Sequence, residues 1–321
     1  MPVMRFGDAD VASTGAFLVG ELERFDPQVY EPIADFTWSR DIDLREDVTI
    51  ADEISSFITS EYAGGTSGTG HGTKAWAAQK SGTIPKIDVG FNKQMHPIIP
   101  WAMDVSYSII ELQKAMQLGR PLDTLKLEAM RMKHQRDIDE QVYVGDTETG
   151  ATGLLNNSAI GKGNFGEFDP ETATADDFLA MINGVLQASY ANTEFTRVPD
   201  TILLPPQYMA FLSKPMVVGS TPLALTVGEW VRTKSLTYTI TGRQLTMNPC
   251  RWLSIGGGTF DKGRVVAYTK AKDVVRFPLV KMQNTPVQYR GLDQSTIYYA
   301  ALGQVEFVRP EMVYYGDMTS D

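Results

Sequence analysis

Residues 111–157 read ELQKAMQLGRPLDTLKLEAMRMKHQRDIDEQVYVGDTETGATGLLNN, and the order of the parts in this stretch decides the fold. Just upstream, Ser108 followed by Glu111 fits a capping box, in which the hydroxyl accepts a helix-start amide while the carboxylate reaches back. Gly119 supplies a helix stop. A short helix is therefore predicted over about 109–118.

A second, longer helix follows directly. Pro121 and Asp123 suit its first turn, and no breaker intervenes before Gly145, which predicts a helix over about 122–144. At 1.5 Å per residue it would be about 33 Å long. Its predicted packing stripe has helical spacing: Leu122, Leu125, Ala129 and Met132. Ion pairs one turn apart are predicted on a wet face: Lys133 with Asp137, and Arg136 with Glu140.

Upstream of this stretch, β-branched and aromatic residues recur in 48–62 and again in 84–107, which predicts two long strands. Between them, residues 64–82 hold six glycines and Trp76 as the only large side chain. Such a tip has little local burial to order it. Because an isolated two-stranded ribbon is at best marginally stable in water, the sequence predicts support from outside the chain and hence an oligomer.

The first residues of the chain, 1 to about 47, mix apolar, acidic and proline positions without a sustained period. They predict an extended arm with one short helix at most. Such an arm cannot bury itself, so its large apolar side chains must pack on the body of the chain or on a neighbouring copy. These side chains are Phe17, Leu18, Phe25, Tyr30, Phe36 and Trp38.

Downstream of the quoted stretch, Thr174 and Asp177 start a predicted helix. From about residue 191, short apolar runs alternate with proline or glycine turns, which predicts a mixed α/β lobe. The last strand-rich segment, 296–315, is expected to return to the first lobe of the chain and to pair there beside the long helix.

The composition is that of a folded protein, since 43% of the 321 residues are hydrophobic and 21% are charged. Asp8 and Asp10 interrupt the apolar core that a secretory signal would need, so we expect the protein to stay in a cytoplasm. The 29 basic and 39 acidic residues give a net charge of -10, which argues against a general grip on nucleic acid. The single cysteine, Cys250, is interpreted as a small core or surface residue.

The glycine-rich tip is not a phosphate-binding loop, because Thr73 separates Gly72 from the lysine that would have to follow it directly. The three histidines lack metal-ligand spacing and are interpreted as solvated or locally hydrogen-bonded: His71, His96 and His134. No local catalytic motif appears. The sequence therefore predicts no catalytic, cofactor or metal site.

Two groups of charged residues could suggest a functional site, but we interpret both as structural. The carboxylates on the long helix are explained by solvation and by the helix dipole: Asp137, Asp139 and Glu140. An aromatic and basic group is interpreted as a turn-rich domain surface rather than a nucleic-acid site: Arg251, Trp252, Lys262 and Arg264.

The segments IELQKA at 110–115, GRPLD at 119–123, the long helix, GD at 145–146 and GLLNN at 153–157 together resemble the major capsid proteins of tailed phages. In that family a long spine helix ends in a Gly-Asp turn, and a short loop then closes with Gly-Leu-Leu-Asn. The closing segment from Gly303 to Asp317 looks like the family's C-terminal strand.

The resemblance implies an α+β fold, the Johnson fold of the Hong Kong 97 type, and assigns its parts along the chain. These are an N-terminal arm (1–47), an extended β-ribbon loop (48–107), a peripheral domain with the spine helix (108–190, helix about 122–144), a mixed α/β axial domain (191–290) and a return strand of the peripheral domain (291–321).

The resemblance also implies a function: copies of the chain form pentamers and hexamers of an icosahedral virion capsid, assembled in the host cytoplasm around double-stranded DNA. Portal, scaffold and decoration proteins would be further partners, contacts with DNA would be weak and non-specific, and no membrane would be involved. The predicted subunit-interface residues are Phe25, Tyr30, Trp38, Gly65, Lys74, Trp76, Lys80, Arg131 and Arg136.

Some family members join subunits by a lysine–asparagine bond. Lys74, Lys80 and Lys86 lie near the right loop, but the partner residues find no match, so no cross-link is predicted. Two other functions stay open at this point: an encapsulin-type compartment shell, and a soluble α/β enzyme whose site is assembled from distant residues.

Overall fold

The computed structural model describes residues 35–64, 87–117, 122–218, 221–255 and 263–318. The helices are α1 (Trp38–Asp41), α2 (Ile109–Gln117), α3 (Leu122–Tyr143), α4 (Ala175–Asn192), α5 (Gln207–Leu212), α6 (Val227–Lys234) and α7 (Leu236–Thr241). The first strands are β1 (Asp43–Arg45), β2 (Ile54–Gly64), β3 (Ile87–Pro97), β4 (Ile99–Ser108), β5 (Gly145–Asp146), β6 (Ala151–Thr152), β7 (Gly161–Asn164) and β8 (Thr201–Leu204). The remaining strands are β9 (Pro215–Val218), β10 (Thr221–Thr226), β11 (Thr246–Pro249), β12 (Arg264–Tyr268), β13 (Val275–Asn284), β14 (Gln288–Arg290), β15 (Asp293–Leu302), β16 (Glu306–Phe307) and β17 (Val313–Asp317).

Helices α2 and α3 match the two predicted helices to within one residue at each end. The packing stripe of α3 differs from the predicted one. Ala129 is exposed, whereas the buried positions recur every four residues: Met130, His134, Ile138 and Val142. The stripe is displaced because Asp139 and Tyr143, beside it on the helix, also turn inward to meet residues from distant parts of the chain.

Strands β2 and β3 form the predicted two-stranded ribbon, antiparallel over its full length from Ile54↔Pro97 to Gly64↔Ile87. The strand-rich stretch 84–107 does not stay in the ribbon, however. Its second half is β4, which pairs with β15 over ten residues. The change occurs at Ile98, which is buried and donates its amide to the Glu53 carbonyl at 2.9 Å, closing the base of the ribbon.

Strands β4 and β15 belong to a six-stranded sheet in which β13 is the other long member. Within this sheet β1 runs parallel to β13, and β16 runs antiparallel to it. A second, five-stranded sheet has the order β11-β8-β12-β17-β7. The last strand, β17, thus returns to pair with β7, which follows the long helix, and also with β12.

The five-stranded sheet separates two cores, because successive residues of a strand point to opposite faces. Ile202 and Val265 pack with α4 and the short helices, while Leu203 and Val266 pack with the C-terminal end of α3. Helix α4 starts where predicted, and Thr174 and Asp177 exchange hydrogen bonds there in a capping box. Both cores are therefore built around one sheet whose strands come from widely separated parts of the chain.

The Gly-Leu-Leu-Asn segment closes the end of α3. A side chain at Gly153 would lie 2.3 Å from the Tyr143 carbonyl oxygen, so only glycine fits there. The Asn156 side chain accepts from the Gly153 amide at 2.7 Å and donates to the Val144 carbonyl at 2.6 Å. Leu154 and Leu155 are fully buried in the core beyond. The segment thus anchors the loop to the helix that precedes it.

Candidate subunit interface

The ribbon carries an apolar outer face. Residues of β2 with even numbers share this face with their odd-numbered partners on β3, since Ser56 pairs with Met95 and Ser60 pairs with Phe91. Its large side chains are strongly exposed: Phe91 is 75% exposed, Ile58 64%, Met95 59% and Ile54 55%. An exposed group of large apolar side chains of this kind is typical of a surface that binds another protein.

The inner face of the ribbon is more polar and lies over the body of the chain. Phe57 stacks on His96 with ring centroids 5.9 Å apart. Between this face and the body there is a groove of about 750 Å³. Its walls are Thr59, Asn92 and Gln94 on the ribbon side, and Asn157, Ala159 and residues 307–311 on the body side.

The base of the ribbon is held by a buried carboxylate. Glu306 on β16 is fully buried and accepts a hydrogen bond from the Ser55 hydroxyl at the start of β2. It also binds the guanidinium groups of Arg45, at 3.2 Å, and Arg276, at 2.6 Å. A body strand is thus joined to the ribbon through side chains.

A second exposed apolar surface lies where β4 passes into α2. The Ile109 amide donates to the Leu292 carbonyl at 2.9 Å, which brings the start of α2 against the turn between β14 and β15. Ile110 is half exposed, and Tyr289 and Leu292 are 72% and 60% exposed. We name this surface, formed by Ile109, Ile110, Tyr289 and Leu292, the sheet-end patch.

The long helix is tied to the start of the described chain through Asp139. This carboxylate is fully buried, and it accepts from Trp252 Nε1 and Arg251, both at 2.8 Å, and from the amides of Thr37 and Trp38. The interpretation of Asp139 as a solvated surface charge was therefore wrong. Its partners lie about 100 residues away in the sequence, so helical spacing gave no sign of them.

The interpretation of His134 as a solvated side chain was also wrong, because the residue is buried. Its ring is 5% exposed and packs edge-on against Trp101, with centroids 4.6 Å apart. Its Nε2 has no hydrogen-bond partner among the described residues. Burial lowers the pKa of His134, while Asp137 acts in the opposite direction. Asp137 itself accepts from Trp101 Nε1 at 2.9 Å and forms the predicted pair with Lys133.

The predicted interface residues fall into three groups. Arg131 and Arg136 are exposed on α3. Trp38 instead packs inside its own chain, because it is 9% exposed and its Nε1 donates to Gln135 at 3.0 Å. The others lie outside the described residues: Phe25, Tyr30, Gly65, Lys74, Trp76 and Lys80. Phe91 and Ile58, the two most exposed of the large apolar ribbon residues for which exposure is described, were missed, although alternation along β2 and β3 could have indicated them.

The basic and aromatic group around residue 251 has structural roles. Arg251 stacks on Trp252 at 4.9 Å while it binds Asp139. Arg264 pairs with Asp317 through two hydrogen bonds, at 2.5 and 2.9 Å. Lys262 lies outside the described residues. The described members of this group thus use their charge within the chain.

The described part of the chain has neither a cluster of metal-ligand side chains nor a helix that could span a membrane. Its histidine, cysteine and acidic residues do not gather into a group of three that could hold a metal ion. Its helices are too short or too polar to cross a membrane. Cys250 is buried, which raises the pKa of its thiol to about 12 and keeps it protonated.

Comparison with known proteins identifies the kind of protein that has this architecture. A family model described as major capsid protein matches residues 72–318. The capsid of Myoviridae phage XM1 is 16% identical with a TM-score of 0.77, and the match covers 93% of this chain and 97% of that chain. For Mycobacterium phage Ogopogo the identity is 10%, the TM-score 0.57 and the coverage 99% and 100%.

The capsid of a native GTA particle is likewise 11% identical with a TM-score of 0.59, and the match covers 97% of this chain and 98% of that chain. Comparison with curated proteins gives no match. The encapsulin-type alternative is not favoured, and the predicted α+β capsid fold is confirmed. Phage capsids share the fold over nearly all of the sequence, and because the family model spans most of it, the chain belongs to the major capsid protein family.

Proposed function

We propose that this capsid protein assembles through the apolar outer face of its ribbon, in pentamers and hexamers that close into an icosahedral shell around double-stranded DNA. The observation that carries the proposal is the exposure of Phe91, Ile58, Met95 and Ile54 on one face. A two-stranded ribbon is marginal by itself in water, so burial of this face against a neighbour would stabilise both the ribbon and the shell.

Identical copies that join head to tail through two different surfaces form closed rings, as pentamers and hexamers require. The ribbon face is one such surface. The sheet-end patch is a second apolar surface on the same chain, centred on Tyr289 and Leu292, and it supplies a further contact between copies. The exposed residues Arg131 and Arg136 of α3 belong to the proposed contacts as well.

The proposal keeps the division of the chain inferred from the resemblance: arm 1–47, extended loop 48–107, peripheral domain 108–190 with return strand 291–321, and axial domain 191–290. Phe25, Tyr30, Gly65, Lys74, Trp76 and Lys80 would contribute contacts from the arm and the loop tip. Portal, scaffold and decoration proteins are proposed partners, and assembly is proposed to occur in the host cytoplasm. Because the net charge is -10, contacts with the packaged DNA would be weak.

Electron microscopy of the purified protein, alone and with its scaffold, tests the proposal. Megadalton particles with a capsomer pattern are expected. Deletion of residues 65–80 should leave the circular dichroism spectrum unchanged and prevent stable shells, since that segment would act between copies. A strictly monomeric parent protein would contradict the proposal, and normal closure by the deletion variant would contradict the role given to the loop.

A further inference from the structure

The ribbon is joined to the body without β-sheet hydrogen bonds. Among the described residues, β2 and β3 pair only with each other, and the six-stranded sheet below them is a separate sheet. Backbone pairing therefore does not fix the angle at which the ribbon leaves the body. Besides the one-residue connection from β3 to β4 at Ile98, side chains at the base of the ribbon hold it, and Ile98 also packs on Val280 and Ala301 of the body.

Three of these side-chain contacts converge on Glu306. The Ser55 hydroxyl of the ribbon donates to the carboxylate. Arg45 bridges the two parts, because one of its nitrogens donates to Ser55 Oγ at 2.9 Å and to the Ser56 carbonyl at 3.1 Å while it also binds Glu306. Arg276 binds Glu306 and lies over the Phe57 ring of the ribbon, 5.7 Å from its centroid.

On the body side, the residues of this cluster are held rigidly by the sheet. Arg276 and Glu306 are direct partners on neighbouring strands, and Arg45 lies on β1, which pairs with the same strand β13. The backbone that carries the carboxylate therefore belongs to the body sheet and not to the ribbon. Ser55, the second residue of β2, is the ribbon residue whose side chain binds this carboxylate.

The charges in this cluster alternate and balance. Asp47 binds Arg45 at 2.8 Å, Arg45 binds Glu306, and Glu306 binds Arg276, so two acids and two bases form a chain with no net charge. Glu306 is the one member that is completely buried. Loss of its charge would leave two neighbouring guanidinium groups without their shared partner, and this penalty would fall on the junction with the ribbon.

We propose that Glu306 is a positioning residue that sets the angle between the ribbon and the body. This angle determines the width of the groove bounded by Asn92 and Ala159, and it determines the direction of the apolar outer face. The second step, in which the direction of that face selects the geometry of the shell, rests on the proposed function.

Distance measurements on unassembled, full-length protein test the first step. Spin labels at Asn92→Cys and Ala159→Cys would report the width of the groove from its two walls, and Cys250 is buried and would not be labelled. The parent should give one narrow distance distribution. Glu306→Gln removes the charge, whereas Ser55→Ala removes the hydroxyl, with its bonds to Glu306 and Arg45, and leaves the charges in place. Each should widen the distribution about twofold, because the ribbon then samples several angles.

A matched control is Ser235→Ala, which removes another buried serine hydroxyl, at the start of α7 and with no ribbon contact among its hydrogen bonds. This variant should keep the parent distribution even if its melting temperature falls. If Glu306→Gln does not fold, Ser55→Ala still decides the matter. A parent-like distribution in Ser55→Ala, or an equal widening in Ser235→Ala, would overturn the proposal.

Electron microscopy of the same variants tests the second step separately. Ser55→Ala is expected to give fewer closed shells and more irregular ones than Ser235→Ala. Regular shells from a variant whose ribbon angle is demonstrably broadened would refute the link to shell geometry and leave the role of Glu306 in the subunit intact. Failure of the parent to assemble would count against the proposed function and not against the positioning role.

Discussion

The hydroxyl of Tyr143, the last residue of the long helix α3, donates a hydrogen bond to the Asp41 carboxylate. The two oxygens are 2.5 Å apart, although the residues are separated by 102 positions of sequence. Asp41 is fully buried, and its carboxylate is also bound by Arg40 at 2.7 Å and by Asn248 at 2.9 Å. Burial and the negative charge of Asp41 both raise the pKa of Tyr143 far above its usual value, so the phenol remains a proton donor. This contact joins the end of the helix to the segment that precedes the ribbon.

Tyr143→Phe is therefore expected to lower the free energy of unfolding by about 2 kcal/mol, the usual contribution of a buried hydrogen bond to a charged group. Urea denaturation of the unassembled protein measures the change. Tyr299→Phe is the matched control, because the Tyr299 hydroxyl binds Gln283 at an exposed site. That substitution should change stability by less than about 0.5 kcal/mol. Equal effects of the two variants would show that the Asp41 contact is not special.

Asp139→Asn should be more damaging. The carboxylate has only donors around it, and an amide in its place would turn its own N–H groups towards some of them. We expect a loss of about 3 kcal/mol in the free energy of unfolding. Asp137→Asn, on the partly exposed neighbouring turn, should cost about 1 kcal/mol or less. Urea denaturation of both variants measures the two losses. A larger loss for Asp137→Asn than for Asp139→Asn would contradict the structural role given to Asp139.

These two carboxylates show how far the sequence leads. The C-terminal end of α3 was predictable because a breaker, Gly145, acts within a few residues of it. The inward face of α3 was not, because it is selected by residues 36–45 and 250–253, which pack on it from far away in the sequence. Helical spacing alone assigned Asp139 to the solvent-facing side of α3. The residues next to it in the sequence contain no sign of its distant partners.

The ribbon shows the same limit. Its two strands and its glycine-rich tip were predictable from β-branched runs and composition, but the point where β4 leaves the ribbon was not. That point depends on the pairing of β4 with β15, about 190 residues later in the chain. The network around Glu306 was likewise invisible, since its members lie on four separate elements.

His134 should make stability depend on pH. Its folded pKa lies below the ordinary value of about 6.5 because burial disfavours the charged ring. Between these two values the unfolded chain binds a proton that the folded chain does not, so stability is lost as the pH falls below about 6.5. His134→Leu should remove this contribution. In urea titrations, the parent's stability relative to the variant should be constant above about pH 7.5 and should fall below about pH 6.5. A constant difference throughout would contradict the assignment.

Gly153→Ala should be among the most harmful small substitutions in the chain, because the added carbon would meet backbone atoms of Tyr143 and Val144 at 2.3 to 2.6 Å. We expect a loss above about 3 kcal/mol. Gly150→Ala separates this clash from backbone strain: Gly150 has a φ of +70° but open space around its α-carbon. It should cost only about 1 kcal/mol. Melting temperatures of the two variants provide the comparison, and similar values would mean that the loop can move away from α3.

The apolar face of the ribbon leads to a prediction about assembly rather than folding. Ile58→Ser with Phe91→Ser removes two large side chains that are mostly exposed in the single chain, so the stability of the unassembled subunit should change by less than about 1 kcal/mol. Shell assembly, measured by light scattering and by sedimentation, should fall at least tenfold in yield, since both side chains would be buried against a neighbour. Gln94→Ser, on the inner face of the same ribbon, is the control and should assemble normally. Normal assembly by the double variant would exclude this face as a subunit contact.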